Sequence, residues 1–470
     1  MLGPGGVVAD PVQLRTYECD GLTGHRVAPA LVVLPETAGQ VAAVVRACAA
    51  AGVPFVARGA GTGLSGGALP VADGVLIVLS RMRRVLSVDI ANQRAVVEPG
   101  VTNSEITQAV TAHALYYAPD PSSQIVCTIG GNVAENSGGA HCLKYGFTTH
   151  HVVALEVVTP DGEIVRLGGI GDLGYDLRGV FVGSEGTLGI ATKVEVRLVR
   201  VPESVRTLVA DFASPHAAGD AVSAIIAEGI VPAAVEMLDA LAIEACEAGT
   251  HAGYSLDAGA ALVVELDGPQ AEVEAEFAAV RRLCEAAGST HLRIAADDAE
   301  RALIWRGRKA AFAAMGRLSP DYFVQDGVIP RVRLGEVLER IAGMADLAGL
   351  RVANVFHAGD GNLHPLVLYD DEHEGEAVRA ERLATAIVEL CVEVGGSITG
   401  EHGVGTDKAC SMPKMFTADD LAVMASVKAA FDPAGIANPG KVLPTPRLCG
   451  ERPGPYRPHP LETAGVVERL

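Results

Sequence analysis

Between Pro29 and about Val201 the apolar positions fall into short runs bounded by glycine, proline or polar turns. Residues 37–52 are rich in Ala and Val and end on glycine, which predicts a helix; residues 53–57 and 75–79 have the length and β-branched content of strands. Residues 85–90 and 94–98 flank Ala91-Asn92, and residues 152–158 and 163–167 flank Asp161-Gly162, so each pair predicts a hairpin. From about Pro202 the pattern lengthens. Residues 218–228 and 270–287 read as amphipathic helices, alternating with strand-like stretches such as 261–266, which predicts helices packed on a mainly antiparallel sheet. A last helix over 418–431 leads into Asp432-Pro-Ala-Gly-Ile-Ala-Asn-Pro-Gly-Lys-Val-Leu-Pro444 and a Pro- and Arg-rich tail that should run extended over the surface.

The chain has 470 residues, long for one hydrophobic core, so two or three domains are expected. Thirty-seven basic against fifty-seven acidic side chains leave a net charge of −20, which excludes nonspecific attraction to nucleic acid or anionic lipid. No apolar run approaches the roughly 20 residues that span a bilayer, and the first ten residues lack the basic start and apolar core of a secretory signal. A protein not integral to the membrane, in the cytoplasm, is therefore expected. The nine cysteines are scattered without a Cys-x-x-Cys pair, which points to free thiols rather than zinc or iron–sulfur ligands.

Glycine is concentrated where backbone must come close to something. Arg58-Gly-Ala-Gly-Thr-Gly-Leu-Ser-Gly-Gly-Ala68 follows a predicted strand, and its glycines let successive amides turn toward an anion, making a candidate pyrophosphate cradle. Gly61-Thr-Gly63-Leu-Ser-Gly66 has the dinucleotide GxGxxG spacing, but that motif requires a helix to open there. Pro70 and Asp73-Gly74 interrupt any such helix, which argues against NAD, and no Gly-Lys-Ser/Thr supports a P-loop. A glycine-rich surface loop is the plain alternative. A second cluster, Pro119-Asp-Pro-Ser-Ser123 with Ile129-Gly-Gly-Asn-Val-Ala-Glu-Asn-Ser-Gly-Gly139, adds Ser and Asn donors, and a third runs Gly183-Ser-Glu-Gly-Thr-Leu-Gly-Ile190. Three such loops suit a long dinucleotide.

The order of these loops resembles the FAD domain of the vanillyl-alcohol oxidase and p-cresol methylhydroxylase superfamily, over nearly the whole chain. The resemblance implies an α+β fold: a two-subdomain FAD-binding domain (1–203), an antiparallel-sheet-and-helix cap domain (204–405) and a C-terminal helix and segment returning to the FAD domain (406–470). It implies that Arg58, Gly59, Gly61, Thr62, Gly63, Leu64, Ser65 and Gly66 bind the pyrophosphate, together with Gly130, Gly131, Asn132, Asn136, Gly138 and Gly139. Pro119, Asp120 and Ser122 would lie along the cofactor, Glu185, Gly186 and Ile190 would approach the flavin ring, and Asn438 would join from the returning segment. Covalent members attach flavin through His, often with a Cys as well. The first loop has no His, and although His141, Cys142, His150 and His151 lie near the second, non-covalent FAD is expected.

In the second half, His357-Ala-Gly-Asp-Gly-Asn-Leu-His364 lies between strand-like residues 352–356 and 363–368, with Asp360-Gly361 as a type I′ turn signal. A two-residue turn there would pair His357 with His364 on one face, close enough for both to hold one ion, although a pair of core histidines reads as well. Thr399-Gly-Glu401-His402-Gly-Val-Gly405 adds a carboxylate and an imidazole in a glycine-flanked turn. His357, His364 and Glu401 then suit one divalent metal (Zn, Mn or Fe), and His402 suits a general base. In Trp305-Arg-Gly-Arg-Lys309 an arginine could fork a substrate carboxylate, or the stretch could be a solvated basic helix face.

These segments, with Ser319-Pro-Asp-Tyr-Phe-Val-Gln-Asp-Gly-Val-Ile-Pro330 and Asn438-Pro-Gly-Lys-Val-Leu-Pro444, resemble the family of the glycolate oxidase D-subunit and the D-2-hydroxy-acid dehydrogenases. The resemblance selects Arg308 as the carboxylate clamp and implies oxidation of a small D-2-hydroxy acid, glycolate or D-lactate, with hydride passing to flavin N5. Electrons would leave to iron–sulfur and flavin partner subunits of a glycolate oxidase complex, or to a membrane quinone, with the protein peripheral at the inner membrane face. D-2-hydroxyglutarate dehydrogenases place polar groups where Phe312, Val324 and Leu366 stand here, so a second carboxylate would be buried without help. The alternatives are a D-2-hydroxyglutarate-type dehydrogenase, a non-catalytic flavin-domain subunit of a larger complex, and an alcohol or phenol oxidase, the last disfavoured by an aromatic content of only 4%.

Overall fold

A computed structural model describes residues 2–169, 171 and 173–445. The tail expected to run over the surface lies outside these residues.

The helix Ala38–Ala51 forms where its ends are both satisfied: Thr37 accepts from the Gln40 amide, and Gly52 adopts the left-handed conformation that stops it. Its apolar face, Val41, Val45 and Cys48, packs on Phe55 and Ile77. Those residues belong to a four-stranded sheet ordered Val7–Val8, Leu31–Val33, Val75–Val78, Phe55–Arg58, in which the last three strands are parallel and the first is antiparallel. No helix opens between Arg58 and Val75, so the first glycine loop runs as irregular backbone out of a strand end. The predicted hairpins belong to a second, antiparallel sheet ordered Val85–Asp89, Arg94–Val97, Ile190–Arg197, Val152–Val158, Ile164–Leu167. The far end of the chain returns to the first sheet, where the Phe55 amide donates to Ile436 and the Asn438 amide donates to the Phe55 carbonyl.

From Ser204 onward one large antiparallel sheet dominates. Its main path is His291–Ile294, Ser204–Phe212, Ala260–Gly268, Ala234–Asp239, Arg351–His357, Asn362–Leu363, Gly327–Val328, with Asp321–Val324 and Pro365–Tyr369 branching off it. Both faces are covered. Leu208, Ala210 and Phe212 meet the helices Pro215–Ala227, Gln270–Ala286, Leu334–Ala348 and Glu376–Glu393, while the intervening Val209 faces Ala240–Thr250 and Asp298–Lys309. This explains the nearly continuous apolar run of Ala260–Gly268, buried along almost its whole length. The helix predicted from 218 begins earlier, at Pro215, because Ser214 caps it.

The predicted register of the histidine hairpin is corrected. His357 pairs with Asn362, not with His364, and Asn354 pairs with Pro365 on the same offset, so Ala358 to Gly361 form a longer loop. Tertiary contacts override the Asp-Gly turn preference. The Gly359 amide donates to Val235, the Gly361 carbonyl accepts from Ile329, and the buried Asn362 side chain donates through Nδ2 to Asp326 at 2.6 Å. On this register His364 lies two positions beyond the partner of His357, which keeps both rings on one face.

Candidate active site

A cavity of about 1070 Å³ runs between the glycine loops of the first two sheets and the edge of the large one. At one end its wall is made by Arg58, Gly59, Gly61, Thr62, Gly63, Leu64, Ser122, Gly130, Gly131, Asn132, Gly138, Glu185, Gly186 and Ile190. At the other end stand Arg308, His357, His364, Glu401 and His402, so residues predicted from distant strings share one space. Gly138 joins the two ends: a Cβ there would come within 2.6 Å of Glu401 Oε2, so only glycine lets the second loop pass the carboxylate.

Other positions expected at the cofactor stand behind this wall, holding it. The Ser65 carbonyl accepts from Thr406 and Asp407, and that of Gly66 from Leu69. Pro119 accepts from the Asn103 side chain, Asn136 from the Thr149 amide, and Gly139 is turned against the Asp120 backbone. Asp120 itself pairs with His141 Nδ1 at 2.9 Å and Lys309 at 3.5 Å. Asn438 is buried and donates to the carbonyls of Gly67 and Glu185. Glu185 lines the cavity, but its two oxygens accept from the Val404 and Gly405 amides, clasping the third loop to the Gly-Glu-His-Gly turn. Burial pushes the Glu185 carboxyl up to about 7.

At the second end Glu401 Oε1 lies 3.1 Å from His357 Nε2 and 3.3 Å from His364 Nε2. The ligand atoms of these three residues fall within 4.8 Å of one another. His364 is buried; its Nδ1 has no hydrogen-bond partner, and its Nε2 faces the Glu401 and Asp326 carboxylates without hydrogen-bond geometry, a deficit that a bound cation would remove at Nε2. The residues therefore fit a divalent metal by donor type and by an otherwise unexplained orphan. The His402 ring stacks on His364, with centroids 4.8 Å apart. Burial pulls its pKa down to about 4, leaving a neutral imidazole at neutral pH. Burial disfavours the Glu401 carboxylate, but His357, His364 and His402 together outweigh it and hold the carboxyl at about 2.

Several participants carried no motif. Asp326 accepts from Thr399 Oγ1 and from the amides of Gly400 and His402, and so shapes the turn that presents Glu401 and His402. With His364 and His402 it forms a second metal-capable group, but Lys408 Nζ stands 3.4 Å from its carboxylate and favours the His357, His364 and Glu401 group. Glu236 contacts His357 and Arg308, and residues 21–26 wall the cavity, held by Arg58 donating to the Cys19 carbonyl at 2.6 Å. The only sequence signals were an acidic residue inside the apolar string 234–238 and the Gln-Asp-Gly string around Asp326.

Comparison with known families decides the framework. The FAD linked oxidases, C-terminal domain family matches residues 201–442, and a FAD binding domain family matches residues 29–168. The glycolate oxidase subunit GlcD of Escherichia coli (strain K12) is 53% identical over 441 residues, 93% of this chain and 88% of that protein. The chain belongs to the FAD-linked oxidase family. A D-lactate dehydrogenase of Anaerostipes hadrus is 32% identical over 427 residues, covering 88% of this FAD-linked oxidase and 89% of the relative. The crystal structure of p-cresol methylhydroxylase with substrate bound superposes with a TM-score of 0.76 at 18% identity, over 94% of each chain, so the α+β fold is of the vanillyl-alcohol oxidase type. FAD is the cofactor that the matched binding domain implies.

Proposed function

We propose that this oxidase takes two electrons from a small D-2-hydroxy acid, glycolate or D-lactate, and yields the 2-oxo acid. The observation that carries the reading is the convergence of Arg308, the His357, His364 and Glu401 cluster and a neutral His402 on the cavity that the glycine loops also line. Arg308 is buried on the cavity wall with Nε free of any protein partner, placed to hold a carboxylate. His402 receives the hydroxyl proton at a ring nitrogen. Bound FAD, held non-covalently by the glycine loops, supplies the acceptor for the α-hydrogen as hydride. His357, His364 and Glu401 would hold a divalent metal, which would supply Lewis acidity there. The GlcD relative is named as one subunit of a glycolate oxidase, which supports partner subunits for this chain; in this reading the electrons leave to iron–sulfur and flavin partners or to a quinone. Among the described residues no helix is long and apolar enough to cross a membrane.

A D-2-hydroxyglutarate-type activity is the poorer reading. Phe312 and Val324 line the cavity beside His364, Leu366 is buried against Val324, and a second carboxylate there would lose its hydration. The deciding experiment is anaerobic bleaching of the flavin absorbance by a panel of D- and L-2-hydroxy acids, with metal analysis of the same sample. Bleaching by 2-hydroxyglutarate alone, or by none of the panel, would refute the proposal.

A further inference from the structure

We infer that Glu236 is a positioning residue that ties the substrate clamp to the metal-binding end of the site, an inference that rests on the reading of Arg308 and the histidine cluster above. Glu236 stands on the strand Ala234–Asp239, fully buried, directly opposite His357 on the neighbouring strand. Its flanking residues Val235 and Met237 enter the apolar core on the other face. Each carboxylate oxygen has a separate task. Oε1 lies 2.7 Å from His357 Nδ1, and Oε2 lies 2.5 Å from Arg308 Nη2, on a helix laid across the same face. A buried carboxylate with a single partner would be costly, so both contacts are needed to keep it there.

The two contacts fix two different things. With Nδ1 engaged by Glu236, Nε2, the atom facing Glu401 at 3.1 Å, is the nitrogen that His357 would offer to a metal. With Nη2 paired to the carboxylate, the guanidinium of Arg308 is restrained at that end of the site. The carboxylate and hydroxyl of a 2-hydroxy acid sit on adjacent carbons, so the groups receiving them must keep a constant separation. One side chain bonded to both maintains it. Arg308 and His357 come from elements far apart in the chain, and Glu236 is the group they share.

The test uses FAD-loaded enzyme and two readouts other than turnover: retention of zinc during titration with a chelator, and binding of oxalate, which has no α-hydrogen. Glu236→Gln should keep its flavin, hold zinc about 10–100-fold more weakly and bind oxalate more weakly. Adding Arg308→Lys should then cost oxalate binding little more, because the clamp is already released. Wild-type zinc retention and oxalate binding in Glu236→Gln would overturn the inference. His357→Ala separates it from the reading beneath: zinc lost there but retained in Glu236→Gln removes only the role of Glu236, whereas zinc retained in both overturns both. If Glu236→Gln does not fold, Glu236→Asp decides, since it keeps the charge but is a methylene too short to reach both partners. It should lose one of the two readouts, and retention of both overturns the inference.

Discussion

Replacing His141 by Gln should cost stability in a pH-dependent way that can be worked out from its contacts. His141 Nδ1 is 2.9 Å from Asp120, beside the second glycine cluster, and Nε2 is 3.2 Å from Glu265 in the middle of the large sheet. Burial disfavours the imidazolium, but Asp120 and Glu265 outweigh it and raise the pKa to about 10, while Asp120 is held at about 2 against its own burial. The difference from the ordinary value of 6.5, at about 1.4 kcal/mol per pH unit, corresponds to at most about 5 kcal/mol of folding free energy. That agrees with the roughly 3–5 kcal/mol lost when one partner of a buried pair is removed. Because the folded pKa is raised, the contribution is complete below pH 6.5 and disappears as pH rises through about 10. Urea unfolding of the two proteins at pH 6, 8 and 10.5 isolates this contribution, since other titrations cancel in the difference. The gap should be several kcal/mol at pH 6, smaller at pH 8 and close to zero at pH 10.5. A gap that does not change with pH would show that His141 acts by packing, for instance through its contact with the Trp305 ring 5.4 Å away.

Acid precipitation should release FAD into the supernatant, and yellow colour remaining in the pellet would refute non-covalent binding. Arg308→Lys should impair turnover severely at near-normal flavin content, because a point charge cannot replace the fork; kinetics with every bleaching substrate check it. His364→Ala should lose metal and activity together while keeping FAD. His402→Ala should keep the metal and lose about 10²–10⁴-fold in rate, read by stopped-flow flavin reduction.

Much of the frame was legible where local chemistry decides it. Thr37 and Gly52 delimit a helix by their own capping, Asp161-Gly162 makes its hairpin, and the glycine loops, for which a plain surface loop was the alternative, line the cavity. Arg308, His357, His364, Glu401 and His402 were singled out from separate strings, and all of them line the cavity. Their register was not legible. His357 and His364 are set by Asn362 bonding Asp326 and by Gly359 bonding Val235, contacts a local turn rule cannot see. Glu236 was missed because a single acidic residue in an apolar strand carries no spacing, and its two partners lie 121 residues away and on a separate helix. Asp120 and Asn438 show the opposite limit: the strings were recognisable, but which members face the cavity and which brace it depends on packing.

Asn438 has a bearing on how the protein is made. It bonds the carbonyls of Gly67 and Glu185, and Glu185 in turn bonds the amides of Val404 and Gly405. The loops around Gly67 and Glu185 are thus completed by a residue 371 and 253 positions further along the chain. Until that residue is made the nascent N-terminal portion exposes an unfinished cavity and the open strand Phe55–Arg58, whose partner near Ala437 has not yet been synthesised. Contacts of such long sequence separation slow folding, because the entropy of closing the intervening loop must be met before they form.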